Sequence, residues 1–332
     1  MNRIVGQHLG RVSDPKYALF DEKVIISMKI TVFTPTYNRA YILGNLYHSL
    51  QRQTFKDFEW LIVDDGSSDD TRELVDSWIC GNNFFVIRYY KQENGGKCRA
   101  INRGLALAEG ELFLVVDSDD YLTDSALEKI ALWEGQLPRD QSYCGVAGNL
   151  GTGEKDTADG FFARDFFDGT LLDRYRNVNG ERAMAFYTAV HRMYLYPVFD
   201  GEKFMTEAVA YNRMAHDGYK MRFYNDIICI YKYLDDGLTK ASDKLFLRNP
   251  QGYGLWLRER AEFMGASRMQ ILRMWYTFFC DTTDERKEKR MTIRQCADCI
   301  GAPLSTMWLI AVLRFGRTQM KQMKKSGFSH GK

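Results

Sequence analysis

The sequence predicts an α/β fold in which a mostly parallel central sheet is flanked by helices, followed by a helical C-terminal region. From residue 29 to about 135, short apolar segments alternate with segments of helical periodicity, which is typical of β-α-β units. Polar residues hardly interrupt the apolar segments, as expected for strands covered by helices on both faces. Beyond residue 240 the pattern is helical throughout.

The first two predicted strands are each followed by a helix. "KITVFT" (29–34) is apolar and rich in β-branched residues, which favours a strand. Apolar residues then recur at helical spacing over 42–50. "FEWLIVDD" (58–65) predicts the second strand, and "GSSDDT" supplies turn and N-cap residues for a helix over about 70–80.

The third and fourth strands enclose a glycine-rich turn and a helix. "FFVIRYY" (84–90) predicts the third strand. "NGGKCRAINRGLALAEG" (94–110) reads as a turn, a helix and a glycine stop. "ELFLVVD" (111–117) predicts the fourth strand, so the region repeats the β-α-β unit.

After residue 136 the alternation becomes less regular. "YCGVAGNLGTGEKDTADG" (143–160) suggests a strand that leads into a polar loop. "ERAMAFYT" (181–188) and "DIICIYKY" (226–233) predict further strands on either side of a helix near 203–216. The charged run "DERKEKR" (284–290) is expected to be a solvated helix face.

Length and composition limit the possible classes of protein. With 332 residues the chain can form one large or two ordinary domains. Its formal net charge of +2 argues against a nucleic-acid partner, because general nucleic-acid binders carry a basic excess. Seven scattered cysteines favour a reducing compartment, and therefore the cytoplasm. Cys296 and Cys299 form a single CxxC pair, so two unlinked thiols on a helix are expected instead of a zinc site.

The two ends of the chain raise separate questions. Residues 1–27 show no secretory signal pattern, and Met28 stands directly before the first strand. We hypothesise that Met28 is the natural start and that 1–27 is an N-terminal extension. Near the other end, "MWLIAVL" (307–313) is too short to cross a bilayer. Two interpretations of 305–325 stay open: a helix in the membrane interface, or a helix packed on the protein.

Polar segments follow three of the four predicted strands. They are "TPTYNR" (34–39), "DDGSSDD" (64–70) and "DSDD" (117–120). Because the carboxyl ends of parallel strands meet at one edge of a sheet, the three segments should converge there. Ligands of open α/β sheets bind at that edge, so a binding site is predicted.

The acidic segment after the fourth strand suggests a metal. If the chain stays extended, Asp117 and Asp119 point to the same side and repel each other. A hard divalent cation removes that repulsion and is often shared with substrate phosphates. The alternative is an acidic loop that caps the next helix, but Asp124 is better placed for that role. The metal interpretation is favoured.

"NGGK" (94–97) superficially suggests a phosphate-binding loop. The P-loop needs an earlier glycine where Lys91 stands, and a Ser or Thr where Cys98 stands. A nucleoside triphosphatase is therefore excluded. A glycine turn that opens a helix can still offer backbone N–H groups and a lysine to an anion.

The segments 30–71, 94–120 and 201–213 together resemble a family 2 inverting glycosyltransferase of the GT-A fold. The resemblance implies a GT-A domain over 28–240, with a nucleotide-sugar half (28–125) and an acceptor half (126–240). The remaining residues, 241–332, form the helical C-terminal region with its basic tail.

The resemblance also implies roles for residues at the nucleotide. Pro35 and Tyr37 match the segment that surrounds the base, and Asp65 matches the carboxylate that reads the uracil edge. Lys97 stands where family members often place a basic residue near the base or the phosphates. These four residues are predicted to bind the nucleotide together with Asp117.

Asp117 and Asp119 match the family's DxD motif, which implies Mn²⁺ or Mg²⁺ as cofactor. Asp119 is the expected metal ligand, and Asp117 is expected nearer the ribose and the metal. Asp120 is expected to support these two residues.

The sequence motif leaves two candidates for the catalytic base. The family's Glu-Asp pair reads Thr206–Glu207 here, so the resemblance implies that Glu207 activates the acceptor, with Glu202 as a competitor. The alternative for Glu207 is a first-turn residue that complements the helix dipole. His191 and His216 are expected to be structural.

The implied reaction is metal-dependent, inverting transfer of one sugar from a nucleotide sugar to a glycan or lipid-linked acceptor in surface polysaccharide synthesis, and a UDP-linked donor is favoured. The QxxRW motif of processive members is missing from the sequence, which favours single-sugar transfer. A nucleotidyltransferase and an inactive nucleotide-sugar-binding module are the alternatives. The basic tail allows peripheral contact with the inner face of the membrane.

Overall fold

The computed structural model describes residues 28–153, 155–157, 160–173, 181–232, 242–283 and 290–327. Two features discussed above lie outside these residues. They are the proposed extension 1–27 and most of the charged run at 284–290.

Within the described ranges nine strands form one sheet, and they include every strand predicted from the sequence. Two strands were not predicted, the two-residue β5 and the edge strand β7. The strands are β1 Ile30–Thr36, β2 Phe58–Asp64, β3 Val86–Lys91, β4 Leu112–Val115, β5 Tyr121–Leu122, β6 Tyr143–Gly151, β7 Phe166–Thr170, β8 Arg182–Tyr187 and β9 Lys220–Ile230.

Helices cover the sheet and then continue as a separate layer. The helix predicted near 203–216 begins at Ala208, and the short helix α5 was not predicted. The helices are α1 Gly44–Gln51, α2 Thr71–Ile79, α3 Lys97–Leu107, α4 Ala126–Gly135, α5 Thr188–Met193, α6 Ala208–His216, α7 Ser242–Arg248, α8 Pro250–Phe263, α9 Arg268–Thr282, α10 Ile293–Ile300 and α11 Leu304–Gly327.

The strand order is β3-β2-β1-β4-β8-β6-β9-β5, with β7 paired to β9. The first four strands are parallel to one another, as predicted. The later half is mixed, because β8 runs antiparallel to both β4 and β6. The chain moves outward from β1 to β3 and then returns to the other side of β1 as β4. This reversal places a topological switch point between β1 and β4, where ligands of such sheets bind.

Helix α3 packs directly on β1 because Gly104 has no side chain. A Cβ atom at Gly104 would lie 2.2 Å from Cε2 of Phe33. Phe33 is fully buried and stacks on Phe113 of β4. The close approach fixes the axis of α3 relative to the switch point, and α3 carries Lys97 at its first position.

The C-terminal helices have a core of their own, built around Phe278, Cys296, Ile300 and Met307. Cys296 and Cys299 lie on one helix, α10, as predicted, and both are free thiols. The bidentate pair between Arg213 of α6 and Glu259 of α8 joins this layer to the sheet domain. None of the helices in the described ranges has both the length and the apolar character needed to cross a membrane.

Candidate active site

A cleft of about 1200 Å³ opens at the carboxyl edge of the sheet, at the switch point. The three polar segments converge on it, as the parallel arrangement predicted. All seven residues that the sequence suggested for the site line this cleft: Pro35, Tyr37, Asp65, Lys97, Asp117, Asp119 and Glu207.

Hydrogen bonds join the segments that follow β1 and β2. The side chain of Asn38, a residue with φ +53°, accepts from the Ser68 N–H at 2.7 Å. The Asn38 N–H in turn donates to Ser67 Oγ at 2.8 Å. Asp69 accepts from the Ala40 N–H at 3.0 Å. These bonds hold the rim of the cleft around Tyr37, which is half exposed.

Asp65 is buried and holds the glycine turn. Its Oδ1 accepts from Gln92 Nε2 at 2.8 Å and from the Gly95 N–H at 2.9 Å. Its Oδ2 accepts from the Gly96 N–H at 2.7 Å. The carboxylate that was expected to read a base therefore has three donors from the chain itself. Any contact with a base must use its remaining lone pairs.

Gly96 occupies a position that only glycine fits. Its φ is +95°, and a Cβ atom there would lie 1.7 Å from the Lys203 carbonyl oxygen. The turn is thus pressed against the segment that precedes Glu207. This contact brings the start of α3 and the start of α6 to the same side of the cleft.

Lys97 contacts both the acidic segment after β4 and the predicted catalytic base. Its Nζ donates to Asp117 Oδ2 at 2.8 Å and lies 2.7 Å from Glu207 Oε1. Burial would lower the pKa of Lys97, but the two carboxylates outweigh it and hold that pKa well above its usual value. Lys97 is therefore a permanent cation between Asp117 and Glu207.

Glu207 precedes α6 and makes contacts through both oxygens. Oε1 faces Lys97, and Oε2 accepts from the Tyr211 hydroxyl at 2.8 Å. Burial would raise the pKa of Glu207, but the charge of Lys97 and the two hydrogen bonds lower it below its ordinary value. The side chain is ionised at neutral pH and able to accept a proton.

Glu202 has a different position and a structural role. Its Oε1 accepts from the Gln251 N–H at 2.7 Å, and its Oε2 accepts from the Gly252 N–H at 2.9 Å. These are two of the unpaired donors at the start of α8. Both carboxylate oxygens of Glu202 are thus used at a helix terminus.

The acidic segment turns instead of staying extended. Strand β4 ends at Val115, and the Asp120 N–H donates to the Asp117 carbonyl at 3.1 Å. The reason given above for placing Asp117 and Asp119 on one side was therefore wrong in its geometry. The turn nevertheless keeps the carboxylates together in the cleft.

At this turn, burial and neighbouring negative charges raise the pKa of two carboxyl groups. Burial and the charge of Asp117 raise the pKa of Asp119. Burial and the charges of Asp117 and Asp119 raise the pKa of Asp120 to about 8. Arg39 Nη2 lies 4.0 Å from Asp119, and Lys97 Nζ lies 2.7 Å from Asp117. Three carboxylates therefore share these two cations.

These residues fit a divalent cation that a ligand would help to bind. Asp117 Oδ1 is buried and makes no hydrogen bond, although it lies 2.7 Å from Lys97 Nζ. Within the described part of the chain, no group of three His, Cys, Asp or Glu side chains is arranged to hold a metal alone. Magnesium-type sites commonly use one or two carboxylates and complete the shell with substrate phosphates.

Neither histidine belongs to the site. His191 is fully buried between Phe113 and Phe186, and burial lowers its pKa to about 4. His216 stacks on Phe263 at 4.2 Å. Both have the structural surroundings that the sequence predicted.

The sequence did not reveal that the C-terminal helices line the cleft. Leu245 and Arg248 of α7 and Trp256 of α8 form part of its wall. Asn249 holds them there, because its Oδ1 accepts from the Lys203 N–H at 2.9 Å. The indole N–H of Trp256 is buried and has no hydrogen-bond partner among the described residues. A periodic apolar helix carries no signal that would have marked Trp256 in advance.

Comparisons with known proteins agree with this geometry. The family model described as "Glycosyl transferase family 2" matches residues 31–200, just over half of the chain. The glycosyltransferase GlyG of Streptococcus pneumoniae is 35% identical over 106 residues, which are 32% of this chain and 35% of GlyG. The GalNAc(5)-diNAcBac-PP-undecaprenol beta-1,3-glucosyltransferase of Campylobacter jejuni is 36% identical over 125 residues, 36% of this chain and 38% of that enzyme. The matched part spans little more than a third of these two relatives.

Solved structures share the fold over most of the chain. Staphylococcus aureus TarS in complex with UDP-GlcNAc aligns with a TM-score of 0.55 and 18% identity, over 87% of this chain and 92% of that one. The mannosyltransferase PcManGT from Pyrobaculum calidifontis, in complex with GDP-Man and Mn²⁺, aligns with a TM-score of 0.53 and 17% identity. The alignment covers 86% of this chain and 79% of PcManGT. The GT-A fold expected from the sequence is confirmed.

Proposed function

The chain belongs to glycosyl transferase family 2, and from this membership we propose that it transfers one sugar, with inversion, from a UDP-linked sugar to an acceptor hydroxyl. The observation that carries the proposal is the contact of Lys97 with both Asp117 and Glu207. It joins an acidic cluster suited to a metal and a diphosphate with an ionised carboxylate suited to a base.

The nucleotide is proposed to lie along the ends of β1 and β2. Pro35 and Tyr37 would flank the base, and Asp65 would hold the turn of Gly95 and Gly96 against it. The complex of TarS with UDP-GlcNAc supports a UDP sugar as donor. We assign 28–125 to this nucleotide-sugar half.

Asp119, together with Asp117, is proposed to hold Mn²⁺ or Mg²⁺. The buried Asp117 Oδ1, which is ion-paired with Lys97 at 2.7 Å but makes no hydrogen bond among the described residues, and the raised pKa of Asp119 support this assignment. When bound, such an ion supplies Lewis-acid stabilisation of charge that develops on the leaving diphosphate. The Mn²⁺ in the PcManGT complex shows that a protein of this fold can bind one.

Glu207 is proposed as the general base. It takes the proton of the acceptor hydroxyl while the hydroxyl oxygen forms a bond to the anomeric carbon. The bond from that carbon to the diphosphate breaks, and its electron pair leaves with the nucleoside diphosphate. Attack from the face opposite the leaving group inverts the configuration.

Lys97 would link binding to this step. In the structure it is shared between Asp117 and Glu207. An incoming diphosphate offers Lys97 another anionic partner, which would weaken its hold on Glu207. The base would then become more basic when the donor is bound, which suits a proton transfer that must follow donor binding.

The acceptor is proposed to enter between the second half of the sheet domain, 126–240, and helices α7 and α8. A glycan or a lipid-linked glycan of surface polysaccharide synthesis fits the family, and the C. jejuni relative is named for an undecaprenol-linked acceptor. All seven cysteines are free, which suits the proposed cytoplasmic location.

The test is a screen of nucleotide sugars for turnover with and without Mn²⁺. We expect release of nucleoside diphosphate from one UDP sugar, stimulated by Mn²⁺ and stopped by a chelator. The Asp119→Ala variant should bind the nucleotide portion and fail to turn over. A protein that binds UDP sugars tightly but releases no UDP, even with a range of glycan acceptors, would be an inactive binding module.

A further inference from the structure

Helix α11 exposes one apolar face to solvent. Five large apolar side chains on this helix are each 54–68% exposed: Trp308, Leu309, Val312, Leu313 and Phe315. Exposed apolar side chains are ordinary when they are scattered, but a contiguous group marks an interaction surface. Here all five lie within eight consecutive positions of a single helix.

The opposite face of α11 is already packed. Met307 and Ile310 are buried against Phe278 and Ile300 in the core of the C-terminal helices. The helix is therefore held in place through one face, and the exposed face is not needed for its attachment. A loosely attached terminal helix would not bury one face fully while exposing the other.

The charge of α11 is entirely positive. Leu304–Gly327 contains five basic residues and no acidic residue. Four of the five follow Phe315, at helix positions 317, 321, 324 and 325. Spacings of three, four and seven residues place these positions along one side of a helix. The exposed apolar segment is thus followed along the helix by a basic segment, and helices that lie in a membrane interface combine an apolar face with a basic one.

We propose that α11 docks this face on an anionic lipid surface. Trp308, Val312 and Phe315, at spacings of four and three, would enter the boundary between headgroups and acyl chains. The basic positions would stay among the headgroups. A second copy of the chain is a poorer occupant, because pairing two α11 faces would bring two uniformly basic segments together. The proposal goes beyond the proposed function and does not require it.

The experiment uses the full chain and co-sedimentation with vesicles. Phosphatidylcholine vesicles are compared with vesicles that also contain phosphatidylglycerol, at low and at high salt. We expect binding only to the anionic vesicles and release at high salt. Trp308→Ser/Val312→Ser/Phe315→Ser should weaken binding at least about tenfold, since each of these residues buries apolar area. Lys321→Gln/Lys324→Gln/Lys325→Gln should weaken it roughly 100-fold, at about fivefold per basic residue.

A matched control removes apolar residues from other surfaces. Leu132, Met193 and Val198 are 54–61% exposed, and replacing all three with serine should leave vesicle binding unchanged. Urea denaturation establishes that each variant is folded. In a second measurement, Trp308 fluorescence should shift to the blue on anionic vesicles, and the shift should be lost in Trp308→Phe while binding remains.

Three results would overturn the proposal. They are wild-type protein that stays in the supernatant with anionic vesicles at low salt, equal binding by the α11 variants and the wild type, and equal loss in the control variant. If the wild type binds no vesicles but forms dimers that the Trp308 triple variant dissociates, the face is an interface between two copies.

Discussion

Lys97 Nζ lies 2.7 Å from Glu207 Oε1, although 110 residues of chain separate the two side chains. The contact depends on Gly96, whose missing side chain lets the start of α3 touch the Lys203 backbone. Removing the positive charge should leave Glu207 buried without its cation. We therefore expect the pair to be central to both stability and activity, and variants of each residue must be interpreted with the other in mind.

Glu207→Gln should lower turnover by roughly 10²–10⁴-fold, the range for loss of a general base. Binding of UDP should change little, because the variant keeps the size and hydrogen-bonding capacity of the side chain. The measurements are kcat for sugar transfer and calorimetric UDP affinity.

Glu202→Gln is the matched control for Glu207. Because Glu202 accepts the Gln251 and Gly252 N–H groups, its variant should lose stability by about 0.5–2 kcal/mol, as other helix N-terminal changes do. Turnover at a temperature where the protein stays folded should be nearly unchanged. The opposite pattern, with Glu202→Gln inactive and Glu207→Gln active, would identify Glu202 as the base.

Asp119→Ala should abolish Mn²⁺-dependent turnover while leaving the fold intact, because Asp119 lies in a turn after β4 and not in the core. Asp124→Ala is its control in the same segment, since Asp124 pairs with Arg52 at the surface at 2.9 Å. The two variants are compared by measuring the rate of UDP release at increasing Mn²⁺ concentrations. Full wild-type turnover in excess chelator would show that no metal is required.

Asp65→Ala should have two effects that can be measured separately. Loss of three hydrogen bonds to 92–96 should lower the melting temperature, because buried donors are left unpaired. If Asp65 also reads the base, UDP binding should weaken and the protein should discriminate less between UDP and other nucleotides. Gln92→Ala, which removes one of the donors, should reproduce part of the first effect only. A lower melting temperature with unchanged nucleotide preference would leave Asp65 a purely structural role.

His191 should make stability fall in acid. Its folded pKa is lowered to about 4 by burial, against an ordinary value of 6.5. Between these values the unfolded chain binds the extra proton and the folded chain does not, so unfolding is favoured as pH falls from 6.5 towards 4. Urea denaturation at pH 5 and pH 7.5 measures the difference. His191→Phe should reduce it, whereas replacement of the exposed His216 by Phe should not.

The first half of the fold could be predicted because its central strands are covered on both faces. β1 and β2 are buried at every position, so their apolar runs have no other explanation. The later strands were harder. β7 reads "FFDGT" and β5 is only two residues long, and both depend on pairing with β9 instead of on their own composition.

The candidate site also has a part that could be predicted from the sequence and a part that could not. Residues at strand ends could be found because the parallel topology fixes where they meet. Contacts between distant segments could not, and Glu202 illustrates this: only the three-dimensional arrangement brings it to the start of α8. The same holds for Tyr211 and Trp256, whose relation to the cleft depends on how α6 and α8 pack.

Trp256 supports the last prediction, which concerns acceptor binding. Its ring stacks on Phe246 at 5.2 Å, and its indole N–H is buried in the cleft wall without a partner. A buried donor without an acceptor costs free energy, and a sugar hydroxyl would satisfy it. Trp256→Phe keeps the ring and removes the N–H, so we expect KM for the acceptor to rise several-fold while UDP affinity and metal dependence stay unchanged. Trp275→Phe, in the core of the C-terminal helices away from the cleft, is the control. A higher KM for the donor instead would place the sugar of the donor, and not the acceptor, beside α8.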